Sequence, residues 1–446
     1  MGNSLKEYIN LNFNNVRNLS EFLSNIGKVP KGTDLSCIHP ILHHKNDDLR
    51  LQAVKTIGKL ESLDYLNILM DIALTDSSTM VRREAVSSIG RMKDKNTIPY
   101  LIELLSSEDP KIICQAIRGL LVFKGDTLVD EELKTLRNHP NETISKVIEK
   151  EFFVVNKKKK DTKPHNEVLP YLKNVVVNGD VLEVLENVPE DSVHLTFTSP
   201  PYYNARDYSI YTSYDEYLHF LKKVFTETYR ITKEGRFFIL NTSPIIVPRI
   251  SRAHSSKRYP IPFDLNTILQ EIGWEFIDDI IWMKPEYSVK NRIGGFQQHR
   301  KPLGYKPNNV TEYLMVYRKS TDKLIDWNMK QYSAEIICES RVNGPYETTN
   351  VWQISPKSDK VHSAIFPEAL CERVIQYYSY KGDLIFDPFG GSGTLARVAK
   401  SLGRTYFTTE KEPLYFKYIQ EKMMSTLFKS SEDHFLSLDE FKKTTL

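Results

Sequence analysis

An α/β sheet domain preceded by an all-α repeat array is the fold class this sequence predicts. Three observations predict it. A short apolar run, residues 193–197, ends in Ser199-Pro200-Pro201-Tyr202. A second, residues 384–386, runs into Asp387-Pro388-Phe389-Gly390-Gly391-Ser392-Gly393-Thr394 and then into helical spacing over residues 395–402. The N-terminal third carries one pattern three times.

The repeat comes first along the chain. Residues 49–58 (LRLQAVKTIG) return as residues 81–90 (VRREAVSSIG) and again from Ile112 to Leu120. Ala53, Ala85 and Ala116 are spaced by 32 and 31 residues, and a degenerate fourth copy is placed near Val147. Apolar helical spacing at residues 65–69 and 98–102 lies between the copies, so each unit holds two helices. Such a unit cannot bury its apolar face alone; stacking supplies the core. The array resembles HEAT-type repeats.

Ser199-Pro200-Pro201-Tyr202 reads as a loop at the end of a buried strand. Two prolines fix two φ angles and remove two N–H donors. Their carbonyls are left as rigid acceptors between a serine hydroxyl and an aromatic ring. This pocket suits a flat group bearing an NH2, of which a nucleobase amine is the obvious case. The plain alternative is a proline-rich loop with no ligand.

The glycine segment has the strand–turn–helix layout of a nucleotide-type site. Gly391 and Gly393 admit positive φ and close approach of a ligand to the backbone. Ala396 stands where the phosphate-binding Gly-x-Gly-x-x-Gly needs its third glycine, and no Gly-Lys-Ser/Thr follows, so neither phosphate loop is present. Residues 406–409 read as the next strand, with Glu410 at its end, where an acid accepts hydrogen bonds from both hydroxyls of a ribose. An ordinary strand-to-helix turn remains the alternative.

Together these residues resemble the S-adenosylmethionine-dependent amino-methyltransferases of DNA, in the beta order that places Pro-Pro-Tyr before Phe-x-Gly-x-Gly. The resemblance covers roughly residues 170–425. Asn178-Gly179-Asp180 resembles the segment opening the catalytic domain, and Glu234-Gly235-Arg236 the turn before the strand that starts at Phe237. Residues 280–285 and 311–317 resemble two later strands. His362, Ala364, Phe366-Pro367-Glu368 and Leu370 resemble the segment before the glycine motif, and Glu410 with Tyr415 the acid and aromatic after the second strand. Thr408 departs from the family, which commonly has Gly two residues before the acid. Serine at the head of the catalytic motif resembles the cytosine-N4 branch; adenine-N6 is the alternative.

The resemblance implies an α/β Rossmann-like methyltransferase domain preceded by an all-α HEAT-like solenoid. The expected layout is residues 1–155 as solenoid, 156–168 as basic linker, 169–430 as methyltransferase domain and 431–446 as C-terminal tail. The expected catalytic residues are Ser199, Pro200, Pro201 and Tyr202. The serine hydroxyl and the Pro200 carbonyl accept the amine protons, and Tyr202 stacks on an extruded base. S-adenosylmethionine is the expected cofactor, held by Asp180, Phe366, Pro367, Asp387, Pro388, Phe389, Gly391, Gly393 and Glu410. Asp180 and Asp387 also read as a turn residue or a helix cap. A catalytically silent scaffold is the remaining reading. No metal is needed.

The other features set bounds. At 446 residues the chain suits two domains, and a net charge of +3 is too small to demand nucleic acid by itself. Basic residues are nevertheless concentrated. Arg249, Arg252, Lys257 and Arg258 form one irregular segment. Lys284, Lys290, Arg292, Arg300, Lys301 and Lys306 form a loop opposed only by Glu286. Arg249, Arg252, Lys290, Arg292, Arg300 and Lys301 are the candidate contacts to double-stranded DNA. Arg50, Lys55, Lys59, Arg82, Arg83, Arg91 and Arg118 lie in or near the repeat helices and read as a DNA track or as a solvated face. The run Lys157–Lys160 reads as a tether. None of Cys37, Cys114, Cys338 and Cys371 follows a proline or sits in Cys-x-x-Cys, against a thiolate nucleophile, a disulfide scaffold or zinc. No apolar run spans a membrane and no secretory segment opens the chain, so the cytoplasm is expected. A cognate restriction endonuclease is a candidate partner.

Overall fold

A computed structural model describes the chain except residues 1, 14, 28, 31–32, 154–164, 204–210, 248–250, 252, 255, 290–301, 304–306, 343, 345, 358–364, 425–431 and 445–446. It divides into two compact units, Met1–Lys160 and Asp161–Leu446.

The first unit is all-helical. The three repeated segments are the helices Asp47–Gly58, Thr79–Arg91 and Pro110–Leu120. Leu66–Thr75 and Ile98–Glu103 lie between them, and Glu142–Ile148 occupies the place of the degenerate copy. Ala53, Ala85 and Ala116 are fully buried. The glycine at the end of each repeat has a packing reason. A Cβ on Gly90 would stand 3.2 Å from the Gly119 Cα, so only glycine lets these backbones meet.

The arginines of the array are mostly spent internally. Arg50 Nε bonds to Asp76 Oδ2 at 2.8 Å, and Arg83 Nε to Asp109 Oδ2 at 2.8 Å. Asp109 also caps Pro110–Leu120 by accepting from Lys111 N at 2.9 Å. Arg82 donates to the Asp76 carbonyl at 2.7 Å, and Arg91 pairs with Glu84 at 2.7 Å. A free cationic track is therefore not what these residues build; they tie one repeat to the next.

The second unit is a three-layer α/β structure. Its strands are β1 (Val175–Asn178), β2 (Val193–Thr198), β3 (Thr232–Thr242), β4 (Ile245–Val247), β5 (Lys257–Tyr259), β6 (Trp274–Met283), β7 (Thr311–Lys319), β8 (Val351–Gln353), β9 (Leu384–Asp387), β10 (Thr405–Glu410) and β11 (His434–Ser437). Nine form one sheet in the order β11-β1-β10-β9-β2-β3-β7-β6-β8, while β4 and β5 pair separately. Only β7 runs against its neighbours. Buried residues alternate between two cores. Val175 and Val177 face the helices Tyr214–Ile231 and Ile261–Ile272, while Val176 faces Glu368–Tyr378, Thr394–Ser401 and Pro413–Met424.

Three expectations need correction. Residues 434–444 are not a tail: β11 pairs in parallel with β1, and Phe441 is fully buried beside Phe407. The apolar β1 edge needs a cover, and Phe435, Leu436 and Phe441 supply it. Gly235 does not precede a strand but lies inside β3 at φ +69°, where the pairing with β2 slips between Val193 and Leu195. Lys257 and Arg258 are not irregular; they form β5 of the small ribbon.

The ladder in the helical unit yields a test. The Arg50 and Asp76 side chains are 10% and 7% exposed. Asp76→Ala leaves a buried guanidinium unpaired, and is expected to cost about 3 kcal/mol, read as a lowered melting temperature of the full chain. Glu142→Ala, which breaks a pair 75% and 77% exposed, should leave the melting temperature in place.

Candidate active site

The parallel pairing of β2 with β9 sets Leu195 opposite Ile385 and Thr196 opposite Phe386. Continued by three residues, that register brings Ser199 level with Phe389 across one interstrand spacing of about 4.8 Å. The proline loop and the glycine turn thus leave the same end of the sheet side by side. Here the connections diverge, β9 towards β10 and β2 towards β3, so the crevice is the topological switch point of the sheet.

One carboxylate stitches the two segments together. Asp387 Oδ1 accepts from Thr198 Oγ1 at 2.7 Å and from Phe389 N at 3.0 Å. Burial pushes this carboxyl up to about 6, against those two hydrogen bonds. Thr198 was not singled out by sequence. Its signal was a hydroxyl closing an otherwise apolar strand, and only the partner 189 residues away gives it meaning.

The glycine turn is closed from below. Thr408 Oγ1 donates to the Asp387 carbonyl at 2.8 Å, and Thr409 Oγ1 to the Pro388 carbonyl at 2.6 Å. Thr408 is thus turned under the turn. A Cβ on Gly390 would stand 2.7 Å from its hydroxyl. Gly391 and Gly393 have φ of +53° and +68°, and a Cβ on Gly393 would press on Ile419.

Glu410 ends β10 beside this turn. Its Oε2 accepts from Gly391 N at 2.7 Å and its Oε1 from Glu412 N at 2.9 Å. Each oxygen retains a lone pair for another donor. Burial, more than those backbone bonds can offset, pushes the carboxyl up to about 7. Phe366 stacks on Phe197 with centroids 4.5 Å apart, and Phe389 lies 6.3 Å from Phe220. Pro367 precedes the helix Glu368–Tyr378, its carbonyl accepting from Leu370 N at 3.0 Å. A cavity of about 150 Å³ opens beside Phe366, Ser392 and Thr394, with Lys357, Arg397 and Lys422 on its wall. Asp180 is a cap: it accepts from Leu182 N at 3.0 Å and pairs with Lys411 at 3.2 Å. It stands two residues beyond Asn178, which is level with Glu410.

Within the proline motif, Pro200 is buried and Ser199, Pro201 and Tyr202 are half-buried. The Tyr202 phenol donates to Glu312 Oε2 at 3.2 Å. Glu312 lies on β7 and pairs with Lys284, one residue past β6. Lys284 is therefore engaged in an ion pair rather than serving as a loop cation. Arg249, Arg252, Lys290, Arg292, Arg300 and Lys301 lie outside the described residues, as do His362 and Ala364.

The two raised carboxyls make a pH prediction. Their neutral forms are favoured by folding, so their contribution is fully present below the unfolded values near 4 and is lost as pH rises through about 6 and about 7. The melting temperature of Glu410→Gln should accordingly fall less between pH 5 and pH 8 than that of the unaltered chain, measured without ligand. An equal fall in both rejects the assignment.

Over this region the chain is similar to known proteins. Residues 193–421 match the N6/N4-type family described as DNA methylase, and residues 66–146 match HEAT repeats. The chain is 28% identical over 262 residues to the Type II beta methyltransferase M.BslI of Bacillus sp. (strain NEB-606), covering 56% of this chain and 27% of that protein. It therefore spans little more than a quarter of that relative's length. The Type II methyltransferase M.XycI of Xanthomonas campestris pv. cyanopsidis is 27% identical over 282 residues, covering 56% of this chain and 87% of that one. A DNA modification methylase structure from Thermus thermophilus, complexed with S-adenosyl-L-methionine, aligns at 25% identity and a TM-score of 0.47, covering 59% of this chain and 98% of the other. With more than half of its residues inside the family match, and both motifs at one crevice, the chain belongs to the N6/N4 DNA methylase family.

Proposed function

We propose that the protein is a site-specific DNA methyltransferase acting on the exocyclic amine of a base, cytosine N4 in the first instance. The observation that carries this reading is the Thr198–Asp387 hydrogen bond, which holds the amine-accepting loop against the glycine turn. S-adenosylmethionine supplies an activated methyl group when bound. The donor set suits it. The Glu410 oxygens accept from ribose hydroxyls, Asp387 faces the ammonium of the amino-acid part, and Phe366 and Phe389 line the cleft. Asp180, Pro367, Pro388, Gly391 and Gly393 shape its walls.

On the other side of the crevice, Ser199 Oγ and the Pro200 carbonyl accept the amine protons. This concentrates electron density on nitrogen and aligns it for an in-line displacement. Pro201 stiffens the loop and Tyr202 stacks on the base. The base leaves the duplex first, at a cost on the order of a few kcal/mol. Arg249, Arg252, Lys290, Arg292, Arg300 and Lys301 are assigned to phosphate contacts, which position the duplex. Ser199 at the head of the motif supports cytosine N4; adenine N6 is the competing outcome. The Type II names of the relatives support a cognate restriction endonuclease as partner. Among the described residues no helix is long and apolar enough to cross a membrane.

Two measurements test this. DNA incubated with the protein and cofactor, digested to nucleosides, should contain N4-methylcytosine; N6-methyladenine reassigns the base, and no methylated nucleoside together with no calorimetric cofactor binding supports a silent scaffold. Ser199→Ala should lower turnover by about a hundredfold while leaving cofactor affinity in place. Equal turnover rejects the amine pocket. Cofactor binding should also weaken as pH falls below about 7, because a protonated Glu410 accepts fewer ribose hydrogen bonds, and Glu410→Gln should flatten that dependence.

A further inference from the structure

Behind the proline loop, four side chains form one continuous polar line. The Ser199 hydroxyl bonds to the Tyr202 phenol oxygen. The phenol donates to Glu312 Oε2 at 3.2 Å. Lys284 Nζ pairs with the other carboxylate oxygen and lies 4.4 Å over the Trp282 ring. The Lys284 and Glu312 side chains are only 17% and 16% exposed. The antiparallel register of β6 and β7 builds this end of the line, setting Trp282 opposite Glu312. The line begins at the hydroxyl that faces the amine and ends on a carboxylate.

A methylated amine has a proton to lose, and a pocket closed by base and cofactor holds little water to take it. We propose that Ser199, Tyr202 and Glu312 form the proton exit for this reaction, with Lys284 fixing the terminal carboxylate. The inference rests on the methyl-transfer reading above. The amine nitrogen uses its lone pair to bond the methyl carbon, and the carbon–sulfur bond breaks with its electron pair going to sulfur. The nitrogen is left with one positive charge and one surplus proton. That proton passes to Ser199 Oγ as the serine proton passes to Tyr202 and the phenol proton passes to Glu312. One proton has moved, Ser199 and Tyr202 end as they began, and Glu312 returns its proton to solvent afterwards. Burial and the Glu312 charge hold the Tyr202 phenol well above its ordinary range, so the tyrosine carries a proton without standing as a phenolate.

The test uses single-turnover methyl transfer on DNA that the unaltered protein methylates. Tyr202→Phe keeps the ring for stacking and removes the carrier. Glu312→Gln keeps the shape and removes the acceptor. Each should slow the chemical step by about tenfold or more with cofactor and DNA dissociation constants unchanged. The double variant should be no slower than the slower single one, because a broken line cannot be broken again. Glu312→Gln transferring at the unaltered rate, multiplying effects in the double variant, or a loss of DNA affinity in place of rate overturns the proposal. If Glu312→Gln does not fold by its melting profile, Tyr202→Phe decides by the same rate and affinity criteria. An unaltered protein that yields no methylated nucleoside refutes the methyltransferase reading itself, which separates the two failures.

Discussion

The pairing of β2 with β9 is the constraint on which the rest of the site depends. These strands come from segments 189 residues apart at the Thr198–Asp387 bond, yet they lie side by side in the middle of the sheet. Their far ends are tied as firmly. Asp383, fully buried one residue before β9, pairs with Arg236 of β3 and accepts from Tyr332 at 2.5 Å and from Tyr380 N at 2.8 Å. His194 of β2 accepts from Leu384 N at 3.1 Å. Burial and nearby Arg236 hold this imidazole well below its ordinary range, so it stays neutral and serves as a fixed acceptor. With both ends pinned, the two strands cannot slip relative to one another, and the loops above them keep their separation.

Charge is handled differently at the two ends. At the closed end, buried ions are paired and fully bonded. At the open end, Asp387 and Glu410 carry hydrogen bonds but no cation at contact distance among the described residues, and burial raises both. Unpaired buried carboxyls cost stability, and such strain concentrates where a ligand relieves it. A cofactor bearing an ammonium and two ribose hydroxyls is chemically matched to this deficit. The Tyr202–Glu312–Lys284 line shows the opposite arrangement, a paired carboxylate that is set before any ligand arrives.

The helical unit follows its own logic. Repeated alanines and glycines let backbones pack closely, and Arg50–Asp76 and Arg83–Asp109 link successive units through the same type of contact. A repeat in sequence thus becomes a repeat in hydrogen bonding. The cations are turned into the array, which removes the simplest argument for a nucleic-acid track on those residues.

Much of this was legible from the chain by itself. The strand–Pro-Pro-Tyr and strand–glycine–helix segments, the acid after the next strand and the alanine period all rest on local backbone chemistry: proline restricts φ, glycine extends it, and a 3.6-residue period exposes one apolar face. Asp180 shows the limit, since a cap and a ligand contact need the same residue type. Local pattern could not reveal that Thr198 meets Asp387, that Lys284 is neutralised by Glu312, or that residues 434–444 complete the sheet. Those facts depend on strand order and register, which long-range burial decides. The sequence by itself determined the two reactive loops and the repeat; the tertiary structure alone decided that the loops share a crevice, because adjacency in a parallel sheet is set by which faces can be buried together.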